Sequence, residues 1–265
     1  MPEGHTLRMA ADRLAPLVGH AVAVETPHPR HRFAGIQEAL DGQVLERADA
    51  RGKHLLLTFA NGRVLHSHLR MTGSWAVYRE GQRWRYPASR AWVVLRAAGL
   101  VAVEFNGPVL ELLEARTLGR HPVLARLGPD VLAPGFEAAE AVARVRARVS
   151  AGVAVADALL DQRVACGIGN MFKSEVLWAR RVHPWAPVGR LDDATLADLY
   201  AEARRQMAAA VAQGRELPHQ IYGRGACPRC RGPVQQRAQG DEGRTTHWCP
   251  RCQPPLPARE SLQTA

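Results

Sequence analysis

Residues 59–69, FANGRVLHSHL, place an Asn-Gly pair between two apolar-rich flanks. Asn-Gly supplies the two positive-φ residues of a tight antiparallel turn, so the stretch reads as a β-hairpin. Outward from it, HAVAVETP (20–27), HLLLTFA (54–60), RVLHSHL (63–69), SWAVYRE (74–80), AWVVLRAAG (91–99) and LVAVEF (100–105) are apolar or alternating runs separated by Gly, Asn and Pro. Short strands at this spacing predict a sandwich or barrel rather than a parallel sheet. A helix is expected before them, from about residue 6 to residue 18.

The second half changes character at RLGPDVLAPGFE (126–137), a Gly- and Pro-containing linker. Helices are predicted over 137–149, 155–160, 171–180 and 193–213. The fold class is therefore α+β. The expected division is a β-sandwich domain (1–128), a helical domain (129–218), a cysteine-bearing hairpin (219–254) and a mobile Pro- and polar-rich tail (255–265). At 265 residues, two such domains can each bury a core without a disulfide scaffold.

The hairpin reading rests on Cys227, Cys230, Cys249 and Cys252, which form two CPRC knuckles separated by 18 residues. This spacing suits a closed four-thiolate site for one structural Zn2+. Disulfides are the alternative, disfavoured in a chain expected to be cytoplasmic. Arg237 and Arg244 would project from the hairpin, as phosphate contacts or as solvated arginines. Cys166, the fifth cysteine, is expected in the core.

Thirty-five Lys+Arg against 25 Asp+Glu give a formal net charge of +10. That balance points to a polyanion, nucleic acid first. Nothing resembles a polybasic or amphipathic membrane segment, a leader, or a run of about 18 apolar residues, so no membrane contact is expected. Only Lys53 and Lys173 are lysines. Arginine matches lysine's charge but cannot serve as an amine or shed its proton at ordinary pH. Lys53 is therefore a candidate for chemistry, with chance survival as the plain alternative.

The chain opens MPEG. Removal of Met1 would leave Pro2 with a free secondary amine, and an α-amino group titrates at roughly 7.7–8.0. Such an amine is a nucleophile near neutral pH, and the Glu3 carboxyl beside it can move protons. The bland alternative is a frayed terminus.

MPEG, RGKHLLL, HLRMTGSW, GIGNMFKSEVLWARRVHP and QIYGRGACPRC with RTTHWCPRCQ, in that order, resemble the formamidopyrimidine-DNA glycosylase and endonuclease VIII family over residues 2–252. The resemblance implies an N-terminal β-sandwich with flanking helices, a C-terminal helix–two-turn–helix domain, and a zinc-ribbon β-hairpin. DNA would lie in the cleft between the domains. It also implies a bifunctional enzyme that removes an oxidised base and then cuts the strand.

Pro2 matches the family nucleophile, Glu3 the general acid/base, Lys53 the assisting lysine and Arg244 the hairpin arginine that bonds the flanking phosphates. Asn170 is expected at lesion phosphates, although GIGN alone reads as a glycine-rich helix cap. Lys173 and Arg224 are assigned to DNA binding, with a solvent-facing Lys173 as the alternative. Met71 matches the side chain inserted where a nucleotide flips out, and His68 lies near phosphates; core packing is the alternative for each.

Two departures bear on substrate. FNGPVLELLEARTLGR (105–120) lacks the Arg and aromatic that purine-excising relatives wedge against the orphaned base. QGRELPHQ (213–220) is short where those relatives carry a long lid over the flipped base. Oxidised pyrimidines are thus favoured over formamidopyrimidines and 8-oxoguanine. A non-catalytic zinc-containing DNA-damage-binding protein is a further alternative, disfavoured by intact Pro2, Glu3 and Lys53. Damaged duplex DNA, bound by a monomer, is the expected partner.

Overall fold

Leu7, Ala10, Ala11 and Leu14 share one face of helix α1 (Gly4–Leu14), and that face is buried. The computed structural model describes residues 2–28, 35–240 and 242–257. The helix ends in a 3-10 turn, Ala15–Leu17, where Pro16 fits the first turn.

Two antiparallel four-stranded sheets follow. One has the order β1 (Ala23–Glu25), β6 (Ala91–Ala97), β7 (Leu100–Phe105), β5 (Ser74–Arg79). The other runs β2 (Leu45–Arg51), β3 (His54–Phe59), β4 (Arg63–His68), β8 (Val109–Glu114). The Asn61-Gly62 turn joins β3 to β4, with Leu57 opposite Leu65. Leu55, Leu57, Leu65 and Leu110 of one sheet pack with Val93, Leu95 and Ala102 of the other, and Leu7 and Leu14 of α1 join them. Each such leucine or valine contributes about 1.5–3 kcal/mol by leaving water.

Strands β2 and β8 and the short helix α2 (Ile36–Leu40) are additions to the sequence reading. LERADAR and VLELLE are rich in charge and only partly buried, so neither shows the apolar run of an inner strand.

The helical half comprises α3 (Ala138–Arg148), α4 (Val155–Leu160), α5 (Asn170–Ala179) and α6 (Asp193–Ala212), each within two residues of its predicted span at either end. The Asp192 carboxylate caps α6 by accepting the Thr195 N–H at 2.8 Å. Val145, Leu159, Ile168, Val176, Leu199 and Met207 form the core. Helix α4, two turns and α5 make the helix–two-turn–helix unit. Helix α1 packs on both β2 and α6, joining the halves.

Strands β9 (Gln235–Gln239) and β10 (Arg244–Trp248) pair as the expected hairpin. Leu256 packs against the helical core, and Arg190 donates to the Pro257 carbonyl. Residues 258–265 of the expected mobile tail lie outside the described residues. No described helix is long and apolar enough to cross a membrane.

Candidate active site and nucleic-acid interface

Glu3 is fully buried. Its Oε2 accepts the N–H of Gly169 at 2.9 Å and of Phe172 at 3.3 Å, and Oε1 accepts that of Met171 at 2.7 Å. These donors lie at the start of α5, where N–H groups lack intrahelical partners and the dipole favours an anion. A side chain on residue 169 would place its Cβ 2.3 Å from Glu3 Cδ, so the approach requires Gly169. The Gly4 N–H adds a 2.9 Å bond to the Gly167 carbonyl. The amino end is thereby anchored, which places half-buried Pro2 at the domain junction. Burial raises the Glu3 pKa, while Lys53 and the three N–H donors oppose that rise.

Lys53 leaves the tight turn between β2 and β3. Gly52, at φ +58°, donates its N–H to Asp130 Oδ2 at 2.9 Å, and a Cβ there would meet Cys166 at 2.9 Å. The turn is thus clamped on the linker and on Cys166, which is buried as expected. Burial lowers the Lys53 pKa to about 8; Glu3 opposes this, and Arg244 adds to it. Glu3, Lys53 and Arg244 therefore share one electrostatic neighbourhood.

Arg244 opens β10, with its guanidinium paired to Glu242. Asn170 Nδ2 donates to the Thr245 carbonyl at 2.8 Å, tying α5 to the hairpin. Among the described residues its second N–H has no acceptor, which leaves it for another group.

Lys173 is not the solvent-facing cation of the alternative reading. It is fully buried and donates to Asn170 Oδ1 at 2.7 Å and Thr246 Oγ1 at 2.6 Å. Three residues after Asn170, it lies on the same helix face, against β10. Burial lowers its pKa from 10.5 to about 8. Between those values the unfolded chain binds more protons than the folded one, so stability rises with pH. Denaturant unfolding of wild type and Lys173→Met should show wild type gaining up to about 3 kcal/mol on the variant between roughly pH 7.5 and pH 10.

The four cysteine sulfurs lie within 4.8 Å of one another, with Cys227–Cys252 at 3.8 Å and Cys230–Cys249 at 3.4 Å. A tetrahedron with Zn–S of about 2.3 Å has sulfurs about 3.8 Å apart, so the four thiols fit such an ion. The Trp178 indole N–H donates to Cys227 Sγ at 3.4 Å, an outer bond suited to a thiolate ligand. Arg237 stacks on Trp185, 3.9 Å from the ring centroid.

Met71 is 66% exposed in the turn between β4 and β5, which excludes the core-packing reading. His68 Nδ1 accepts the Arg70 N–H at 3.2 Å, and burial lowers its pKa to about 4. It is thus a neutral hydrogen-bonding group rather than a cation. Arg224 is exposed and donates through Nε to the His219 carbonyl at 2.8 Å. Sequence reasoning missed Glu175, which accepts the N–H groups of Gln220, Ile221 and Tyr222 and seats the segment entering the hairpin. A carboxylate among the mostly apolar residues of MFKSEVLWA (171–179) was its only signal.

Residues 1–121 match the model of the formamidopyrimidine-DNA glycosylase N-terminal domain, and residues 127–219 match that of the formamidopyrimidine-DNA glycosylase H2TH domain. The chain belongs to the formamidopyrimidine-DNA glycosylase family. Among its relatives, a probable endonuclease 8 2 of Streptomyces coelicolor is 40% identical, with 96% of this chain and 94% of that protein aligned. A DNA-(apurinic or apyrimidinic site) lyase Nei2 of Mycolicibacterium smegmatis is 34% identical over 96% and 99%. The Lactococcus lactis formamidopyrimidine DNA glycosylase, solved with DNA containing an AP site, shares the fold at TM-score 0.80 and 22% identity, over 95% of this chain and 99% of that one.

Proposed function

We propose that the protein is a bifunctional DNA glycosylase and AP lyase that excises oxidised bases, pyrimidines foremost, from damaged duplex DNA in the cytoplasm. The observation that carries the proposal is the Glu3 carboxylate seated at the start of α5, which fixes the chain end beside Lys53 and Arg244. The names of the endonuclease 8 and lyase relatives support it.

After removal of Met1, the Pro2 nitrogen attacks C1′ of the damaged nucleotide, and the base departs and is protonated. Glu3 moves the proton from nitrogen to the ring oxygen as the C1′–O4′ bond opens, leaving an iminium. The iminium acidifies the C2′ proton; its loss expels the 3′ phosphate, and δ-elimination follows. Lys53 and Arg244 stabilise the phosphates, Met71 fills the gap left by the flipped nucleotide, and Asn170 offers its free N–H to the backbone. One Zn2+ on Cys227, Cys230, Cys249 and Cys252 would be structural, holding the hairpin that presents Arg244.

Borohydride trapping on duplexes bearing thymine glycol, 8-oxoguanine or an abasic site tests the proposal. Adducts should form with the abasic and thymine glycol duplexes, and intact mass should lack Met1. Adducts with none of the three would remove the enzyme reading, and preference for 8-oxoguanine would move the substrate to oxidised purines. Arg244→Ala should weaken binding to abasic-analogue DNA by about tenfold and flatten the plot of log affinity against log salt by about one charge. An unchanged slope would remove Arg244 from the phosphates.

A further inference from the structure

Asn170 and Lys173 stand one turn apart on α5, and a chain of side-chain hydrogen bonds runs from them through the cysteine hairpin to α4. Lys173 Nζ lies 2.7 Å from Asn170 Oδ1 and 2.6 Å from Thr246 Oγ1 on β10. Thr246 Oγ1 lies 2.7 Å from Gln239 Oε1 on β9. Gln239 Nε2 lies 3.4 Å from Oδ2 of Asp157, in the first turn of α4. Asn170, Lys173, Thr246 and Gln239 are all buried.

The direction of every bond in the chain follows from the chemistry at its ends. An ammonium only donates, so its partner on Asn170 is the amide oxygen. The Thr245 main-chain carbonyl only accepts, so it takes an N–H of the same amide, at 2.8 Å. Together they leave the Asn170 amide a single orientation, in which the group left over is an N–H. Thr246 likewise accepts from Lys173, gives its hydroxyl proton to Gln239 Oε1, and so turns the Gln239 NH2 to the Asp157 carboxylate.

We propose that Lys173 is a positioning residue for Asn170: its ammonium holds the amide oxygen, so that what the side chain offers a DNA phosphate is an N–H. An amide turned over would present an oxygen to the phosphate and repel it. Without Lys173 the oxygen is buried with no donor, and the side chain gives up its place on Thr245 to find one in water. Lys173 thus serves the interface through Asn170 and donates to no phosphate itself. The inference rests on the reading of Asn170 as a phosphate contact.

Fluorescence anisotropy of the full chain on an abasic-analogue duplex at pH 7 supplies the first test. Asn170→Ala should weaken binding by about tenfold, the scale of a hydrogen bond to a charged group. Lys173→Met should weaken it by about fivefold in the wild-type background and by less than about twofold in the Asn170→Ala background. Because a neutral amide makes the contact, Lys173→Met should leave the slope of log affinity against log salt unchanged. The chain's three asparagines, Asn61, Asn106 and Asn170, give three side-chain amide signals in DNA-free, 15N-asparagine-labelled protein. The Asn170 signal, assigned with Asn170→Ala, should move toward that of a free amide in Lys173→Met, while those of Asn61 and Asn106 stay in place. Lys173→Arg, which keeps a cationic donor, should hold it near the wild-type position.

Equal weakening by Lys173→Met in both backgrounds would make its role merely structural. A slope flattened by about one charge would make Lys173 itself the phosphate contact. An unmoved Asn170 signal in Lys173→Met would show that the amide is held without it. Each of these outcomes overturns the inference and leaves Asn170 at the phosphates, whereas undiminished binding by Asn170→Ala would remove Asn170 from the phosphates and the inference with it.

Discussion

Glu3→Gln should yield no detectable borohydride-trapped adduct and lower base excision by at least about 100-fold, the usual scale for loss of a positioned acid/base. The variant also disturbs the anchor. Both carboxylate oxygens accept backbone N–H groups, one from Met171 and the other from Gly169 and Phe172. A glutamine has a single acceptor oxygen, so its NH2 must face at least one of those donors. A buried donor left unpaired costs about 1–3 kcal/mol. Thermal unfolding should fall by several degrees alongside the lost chemistry. Full excision by a destabilised Glu3→Gln would show that Glu3 only anchors the chain end.

Loss of the zinc proposed for the four cysteines should have a comparably large effect on binding. Cys249→Ser, or chelation of the wild-type protein, should take zinc content from one per chain to none and weaken abasic-analogue DNA binding by more than about tenfold. Ligation of this kind is worth about 10–16 kcal/mol in small zinc domains, and an isolated two-stranded hairpin is marginal in water. The damage should not stay in the hairpin. Thr245 and Thr246 of β10 hold Asn170 and Lys173 of α5, the helix whose first N–H groups grip Glu3. Metal analysis with fluorescence anisotropy checks this, and undiminished affinity in metal-free protein would sink it.

The Asn61-Gly62 hairpin, the helices and the cysteine hairpin were legible because each is written in local signals: turn chemistry, apolar periodicity and ligand spacing. Strands β2 and β8 were not, since they are the edges of their sheet and only partly buried, so their charged composition carries no apolar run. The same divide runs through the site. Pro2, Glu3 and Lys53 could be nominated from their chemistry, and the cysteines from their spacing. What Glu3 does in the fold could not, because its partners lie 166 to 169 residues away. The burial of Lys173 was hidden for the same reason: only the packing of α5 on β10 shows it inside. The bond chain from Asn170 to Asp157 left no local trace, because Lys173, Thr246, Gln239 and Asp157 meet only once β9 and β10 pair and pack on α4 and α5.

The reach of Glu3 also sets an order of events during synthesis. Residue 3 leaves the ribosome long before residues 169–172, whose N–H groups hold it. Until that helix has emerged, the amino end has nothing to seat it and Lys53 lacks the carboxylate beside it. A partly made or truncated chain thus carries the proline proposed as nucleophile without the helix start that seats the residue beside it. On the proposed mechanism, the seated Glu3 that assists attack on aldehydic DNA damage is therefore completed only when α5 has also been made.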